Sequence, residues 1–250
     1  MALRLVQRGE GDPRPLVLGF LVGGLEPQLR KAFGPAPCIV VDVATPPGPT
    51  MHEVLEFAHR TAGLQHVSRL ALIGYSAGCQ RVRALRLAGV SASAYLLVDG
   101  THANWPPAAW QTAWLRELAT EARQGRILVV ATHTLQTYTE KLPPGRAFSS
   151  TVRVLRAATG WPLDHSGPLD RPAVTRQGTL WVYSYASAEA DAPAHAAQLV
   201  RVVPELCARH LGPWLRGEVR ETEGTGGLPR SLGLLRLGLF GLAALFAEDD

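Results

Sequence analysis

The chain has 250 residues, of which 46% are hydrophobic and 18% charged, with a formal net charge of +4. A chain this long and apolar can bury a full core without disulfides or metals, and it is neither disordered nor collagen-like. Its three cysteines, Cys38, Cys79 and Cys207, are too few for a disulfide scaffold, and so small a charge excess with acids interspersed excludes a nucleic-acid footprint.

The first apolar run, Leu16 to Gly24, follows Pro13 and Pro15 and reads as a buried strand. It is short, with no small-residue cleavage site behind it, so a secretory leader is not expected and a cytoplasmic location is. Cys38 to Val43 is a β-branched strand bounded by prolines. Thr50 and Glu53 have the capping-box spacing, Met51, Val54, Leu55, Ala58 and Ala62 follow at helical spacing, and Gly63 stands where the helix would stop. Arg69 to Ile73 is the next apolar run. Ala77 to Leu87 reads as a helix with Val82 and Leu85 inward and Arg81, Arg83 and Arg86 solvated. Tyr95 to Val98 is another strand. Pro106 and Pro107 open a helix with Trp110, Trp114, Leu118 and Ala122 on one face. Ile127 to Ala131 is a strand, Leu180 to Tyr183 the last, and a helix follows from Pro193 to Leu211, kinked at Pro204.

Strands joined by amphipathic helices mean βαβ units, hence an α/β fold with a mostly parallel central sheet and helices on both faces. Strands buried on both faces read as continuous apolar runs, as these do. Residues 135–179 fall outside the alternation as a long, Pro-rich, irregular stretch suited to carrying specificity. The expected organisation is one domain over 1–216, a Gly-rich linker over 217–230 and an apolar segment over 231–250. Leu237 to Ala247 carries no polar residue, yet it is too short for a standard membrane span. Its 231–247 stretch suits either peripheral attachment to a membrane or lipid, or packing on the domain or on a second copy.

The chemistry concentrates at Gly74-Tyr-Ser-Ala-Gly78, a G-x-S-x-G sequence directly after a strand and directly before a helix. A nucleophile elbow needs that context. The turn is tight enough that only small residues fit around the serine, and it lifts the Ser76 hydroxyl above the sheet edge. The Ala77 N–H, at the helix start, points to where an oxyanion would form. Asp99-Gly100 directly follows the strand Tyr95 to Val98, and a carboxylate at that edge of a parallel sheet faces the rim of a site.

With these residues the sequence resembles the α/β-hydrolase family, over roughly residues 3–211, by element order and by one local motif. The resemblance implies a nucleophile–acid–histidine order along the chain. Ser76 would be the nucleophile, and His195, shortly after the last strand, the histidine. The family's acid commonly follows the second strand beyond the nucleophile, but Thr132-His133-Thr134 offers no carboxylate there. Asp99, one strand earlier, takes that role, with Asp164, Asp170 and Glu140 as rivals. A second oxyanion donor would come from Gly24 or Leu25. Tyr75, His102 and His133 are candidate pocket residues, and Trp105 and Trp161 could add an apolar wall. No Walker A, dinucleotide-binding, H-E-x-x-H or C-x-x-C motif is present, so neither a cofactor nor a metal is expected. The expected activity is hydrolysis of a carboxylic ester of a small-molecule or lipid-like acyl substrate. A peptidase or amidase, or a non-catalytic binding module on the same fold, are the alternatives.

Overall fold

A computed structural model describes residues 3–21, 23–43, 48–104, 108–134, 148–187 and 192–218. The first third runs β1 (Leu3–Gln7), β2 (Arg14–Phe20), α1 (Glu26–Phe33), β3 (Cys38–Asp42), α2 (Met51–Ala62) and β4 (Val67–Tyr75). The middle runs α3 (Gly78–Leu87), β5 (Ala94–Val98), β6 (Ala103–Asn104), α4 (Ala109–Arg123) and β7 (Leu128–Thr134). Then come β8 (Phe148–Ser149), α5 (Thr151–Thr159), β9 (Ala173–Gln177) and β10 (Leu180–Tyr185). A continuous helical segment closes the described chain: α6 (Ala192–Ala197), a π-helical run Gln198–Val202, α7 (Val203–Leu206), a second π run Cys207–Leu211, and α8 (Gly212–Arg216).

Eight strands form one sheet in the order β1-β3-β2-β4-β5-β7-β10-β9. The six inner strands are parallel to their neighbours, and the two edge strands, β1 and β9, are antiparallel. This is the mostly parallel central sheet with helices on both faces expected from the sequence. Side chains alternate between two cores. Leu16, Leu18, Val40, Leu72, Tyr95 and Leu97 pack under α2, α3, α4 and α5. Val17, Ile39, Val41, Ile73, Leu96 and Val98 pack on the other face, against α1 and the C-terminal helical segment. Burial on both faces is why these strands show no polar alternation.

The helix signals mark real ends. Thr50 and Glu53 form the capping box of α2, and Gly63 closes it with left-handed φ of 68°. Pro204 lies inside this continuous segment, directly after the first π-helical run, and Val202 and Val203 before it keep helical backbone angles, so the helical path continues past the proline. Several features depart from the sequence reading. The stretch 135–179 is not uniformly irregular, since it contains α5 and the edge strand β9. The edge strand β1, the helix α1 and the short β6–β8 pair have no counterpart in the expected elements. Trp110 is not core: it is 54% exposed, with the Arg83 guanidinium over its ring. It sits on the first turn of α4, whose buried face runs through Trp114, Leu118 and Ala122.

Trp105, Pro106, Pro107, Glu140, most of the 217–230 stretch and the apolar 231–250 segment lie outside the described residues. Among the described residues, no helix is long and apolar enough to cross a membrane.

Candidate active site

β4 runs straight into Ser76, whose φ of 53° makes it one of three non-glycine residues with positive φ among those described. The others are Asp99, at 44°, and Leu163, at 49°. Strained backbone of this kind persists only where the surroundings enforce it, and it clusters at functional sites. The surroundings here are backbone. The Ser76 N–H donates to the Val98 carbonyl (2.9 Å), and the Ser76 carbonyl accepts from the Cys79 N–H (3.0 Å). A Cβ on Gly74 would lie 2.7 Å from Cys79 Cα, and one on Gly78 would lie 2.2 Å from the Phe20 carbonyl oxygen. Both motif glycines are therefore steric requirements of the turn. Beneath it the buried Cys79 thiol donates to the Gly74 carbonyl (3.2 Å), and burial pushes its pKa well above the ordinary thiol value. That thiol is inert.

Asp99 follows β5 directly and meets the elbow back to back. A Cβ on Gly100 would stand 2.0 Å from the Ser76 carbonyl oxygen, so the acid loop can lie against the elbow only with glycine there. Gln80, one turn into α3, ties the same loop down by donating to the carbonyls of Gly100 (2.8 Å) and His102 (3.2 Å). The Asp99 carboxylate is buried, at 3% exposure, yet well supplied with donors. The Thr134 N–H donates to Oδ1 (3.1 Å), and the Thr134 hydroxyl lies 3.3 Å from Oδ2. Thr134 ends β7, the strand that pairs with β5. Here that strand end holds the carboxylate of its neighbour.

His195 lies on α6, just past β10. Its Nδ1 is 2.8 Å from Asp99 Oδ2. Its ring stacks on Tyr75, with centroids 4.7 Å apart and planes 26° apart, and the Tyr75 hydroxyl donates to the His195 carbonyl (3.0 Å). Tyr75 immediately precedes Ser76, so the stack sets the imidazole beside the elbow. Gln198, fully buried on the following π-helical run, accepts the Thr132 hydroxyl and fastens this segment to β7.

Ser76, Asp99, His195 and Tyr75 thus gather at the C-terminal edge of adjacent strands. Ala77 joins them as the exposed N-cap of α3, and no side chain caps that helix. Its start is a set of amide donors beside the serine. His102 also belongs to this edge. Its Nδ1 is 3.4 Å from the Thr151 hydroxyl, and burial lowers its pKa more than the Asp99 charge raises it.

Two sequence candidates fall elsewhere. His133 is fully buried within the sheet, with Nδ1 donating to the Thr134 carbonyl (3.1 Å) and Nε2 accepting from the Ser184 hydroxyl (2.8 Å). Burial also lowers its pKa, so it is a neutral structural histidine, not an open pocket wall. The Gly24 N–H donates to the Glu26 carboxylate (3.1 Å), so the donor expected there for an oxyanion already has a charged acceptor on it. Of the rival acids, Asp164 pairs with Arg156 (2.7 Å) instead. Among the described residues, no cluster of three His, Cys, Asp or Glu side chains could hold a metal ion. The residues missed from sequence are Thr134, Gln80 and Gly100. Only Gly100 carried a local signal, as the Gly of an Asp-Gly pair.

No protein-family model matches this sequence, and no curated protein matches it. Distant likenesses appear among solved structures. TT1662 from Thermus thermophilus is 17% identical over 86% of this chain and 99% of its own, with a TM-score of 0.42. A lipase-esterase related protein from Clostridium acetobutylicum is 12% identical over 84% of this chain and 100% of its own, with a TM-score of 0.41. An acylaminoacyl peptidase from Pyrococcus horikoshii is 10% identical over 88% of this chain, which spans 40% of that protein, with a TM-score of 0.42.

Proposed function

We propose that this protein is a serine hydrolase that cleaves a carboxylic ester through an acyl-enzyme intermediate. The observation that carries the reading is the buried Asp99–His195 pair, 2.8 Å long, stacked beside a serine held at φ of 53°. With Nδ1–H given to Asp99, the His195 Nε2 is the nitrogen left to take a proton. The Ser76 Oγ attacks the substrate carbonyl carbon as its proton passes to Nε2, and Asp99 stabilises the imidazolium formed. The Ala77 N–H supports the tetrahedral oxyanion. Collapse breaks the ester bond, and the leaving alkoxide takes the proton back from His195. Water, deprotonated by the same nitrogen, then attacks the acyl-enzyme and releases the carboxylic acid and Ser76. Tyr75 and His102 flank this edge as substrate-facing groups. The substrate is a small or lipid-like acyl compound, and the 231–247 segment serves attachment to its lipid surface or to a second copy.

The test is labelling with a fluorophosphonate, which traps only an activated serine. Wild type is expected to label at Ser76, and Ser76→Ala not to label. No labelling of the wild type defeats the hydrolase reading and leaves a binding module. Faster turnover of p-nitroanilides than of p-nitrophenyl esters would move the assignment to an amidase.

A further inference from the structure

We propose that His102 sets the specificity of the ester reaction by donating a hydrogen bond from Nε2 to a second oxygen on the leaving alcohol, which favours esters of diols and polyols over esters of plain alkanols. The role rests on Ser76 and His195 acting together as a hydrolase. His102 follows Asp99 on the loop that Gly100 lets lie against Ser76 and that Gln80 pins through the Gly100 and His102 carbonyls. The loop leads directly into β6, whose Ala103 and Asn104 pair with Ser149 and Phe148 of β8. That pairing brings Thr151, at the start of α5, against His102 across 49 residues of chain.

Thr151 fixes the tautomer. It is 2% exposed, and among the described residues its hydroxyl contacts one acceptor, His102 Nδ1, at 3.4 Å. A buried hydroxyl proton needs an acceptor, so Thr151 donates and Nδ1 accepts. Nε2 then carries the ring hydrogen. His102 is half-buried, and among the described residues its Nε2 has no hydrogen-bond partner. Burial holds its pKa below 6.5 despite the Asp99 charge, so the ring is neutral at pH 7. His102 thus offers one uncharged N–H donor and no acceptor.

Its place decides what that donor meets. His102 feels the charges of both Asp99 and His195, so it stands on the histidine side of Ser76. In the tetrahedral intermediate the oxyanion turns to the Ala77 N–H, while the leaving oxygen must meet His195 to recover its proton. The alcohol beyond that oxygen is therefore the part of the substrate on the His102 side. A hydroxyl or ether oxygen there accepts the N–H, whereas an alkyl group at the same point leaves the donor dry and unpaired.

The test uses esters that share one acyl group. Butyl and 2-methoxyethyl butyrate differ by one CH₂ replaced by oxygen, as do pentyl and 3-methoxypropyl butyrate. All pass through the same butyryl-enzyme, so differences in kcat/KM belong to the step in which the alcohol leaves. In at least one pair, the ether-to-alkyl ratio of kcat/KM is expected to fall about 3- to 10-fold in His102→Phe, which keeps a ring without the donor. His102→Gln, whose amide puts an N–H near the same point, should keep the wild-type ratio. Thr151→Val leaves the ring but frees its tautomer, and should give an intermediate ratio; it carries the comparison if His102→Phe does not fold. An unchanged ratio in both pairs overturns the proposal, as does an equal fall in His102→Gln. Fluorophosphonate labelling of the wild type separates the two ways to fail. A labelled Ser76 with unchanged ratios defeats the role of His102 alone, and an unlabelled Ser76 defeats that role and the hydrolase together.

Discussion

A carboxylate at 3% exposure and positive φ needs support, and Asp99 draws it from two directions: Thr134 on one side and His195 on the other. Asn tolerates the left-handed region better than other replacements, so Asp99→Asn should fold. It would put an amide where His195 needs an acceptor for Nδ1–H, turning or re-protonating the ring. The expected result is a fall in kcat for a p-nitrophenyl ester of roughly 10³- to 10⁴-fold, with an unchanged thermal midpoint. A different histidine governs stability. His210 is buried between Tyr183, whose hydroxyl lies 2.7 Å from Nε2, and the Trp181 ring. Burial, then the charges of Arg209 and Arg176, lower its pKa from 6.5 to about 4. Between those values the unfolded chain binds a proton that the folded chain refuses, so stability present above pH 6.5 is lost as pH falls toward 4. His210→Gln keeps an acceptor for Tyr183 but does not titrate. Its thermal midpoint should fall less than that of the wild type between pH 7 and pH 4.5.

At the scale of elements, α5 shows what a sequence can and cannot reveal. Its nine residues carry Ser150 as N-cap, accepting from the Arg153 N–H (3.3 Å), and Gly160 as a left-handed stop at φ of 73°. Both signals are in the sequence, but the helix is too short for its apolar spacing to stand out among the prolines around it. Ser150→Ala should destabilise the protein by about 1 kcal/mol, read from the midpoint of a urea titration. The inner strands were legible because burial on both faces leaves an uninterrupted apolar signature. The edge strands β1 and β9 were not, since partly exposed strands such as Leu3–Gln7 mix polar and apolar residues. Ser76 and Asp99 could be proposed because each directly follows a strand, and His195 because the resemblance implies a histidine shortly after the last strand. Thr134 and Gln80 could not, because their roles come from pairings across 35 and 20 residues of chain.

Across the whole molecule, the candidate site is assembled from parts of unequal stability. Ser76 and Asp99 hang from β4 and β5, inner strands sealed between two cores, with Leu72, Ile73, Leu96 and Leu97 fully buried. His195 is carried by a six-residue helical turn flanked by exposed residues such as Pro193 and Ala196. Its ring is held by Asp99 and Tyr75, and its segment by the buried Gln198 below. Segments with few buried apolar contacts open at lower cost than the core they rest on. Urea should therefore release the histidine before it melts the sheet. Ester hydrolysis is expected to disappear at lower urea than the cooperative loss of far-ultraviolet circular dichroism. Amide hydrogens of 192–197 should exchange faster than those of 71–75 and 94–98 under native conditions. Coincident loss of activity and secondary structure, with equal protection of all three segments, would mean that α6 is locked into the global fold and that the site opens only when the sheet does.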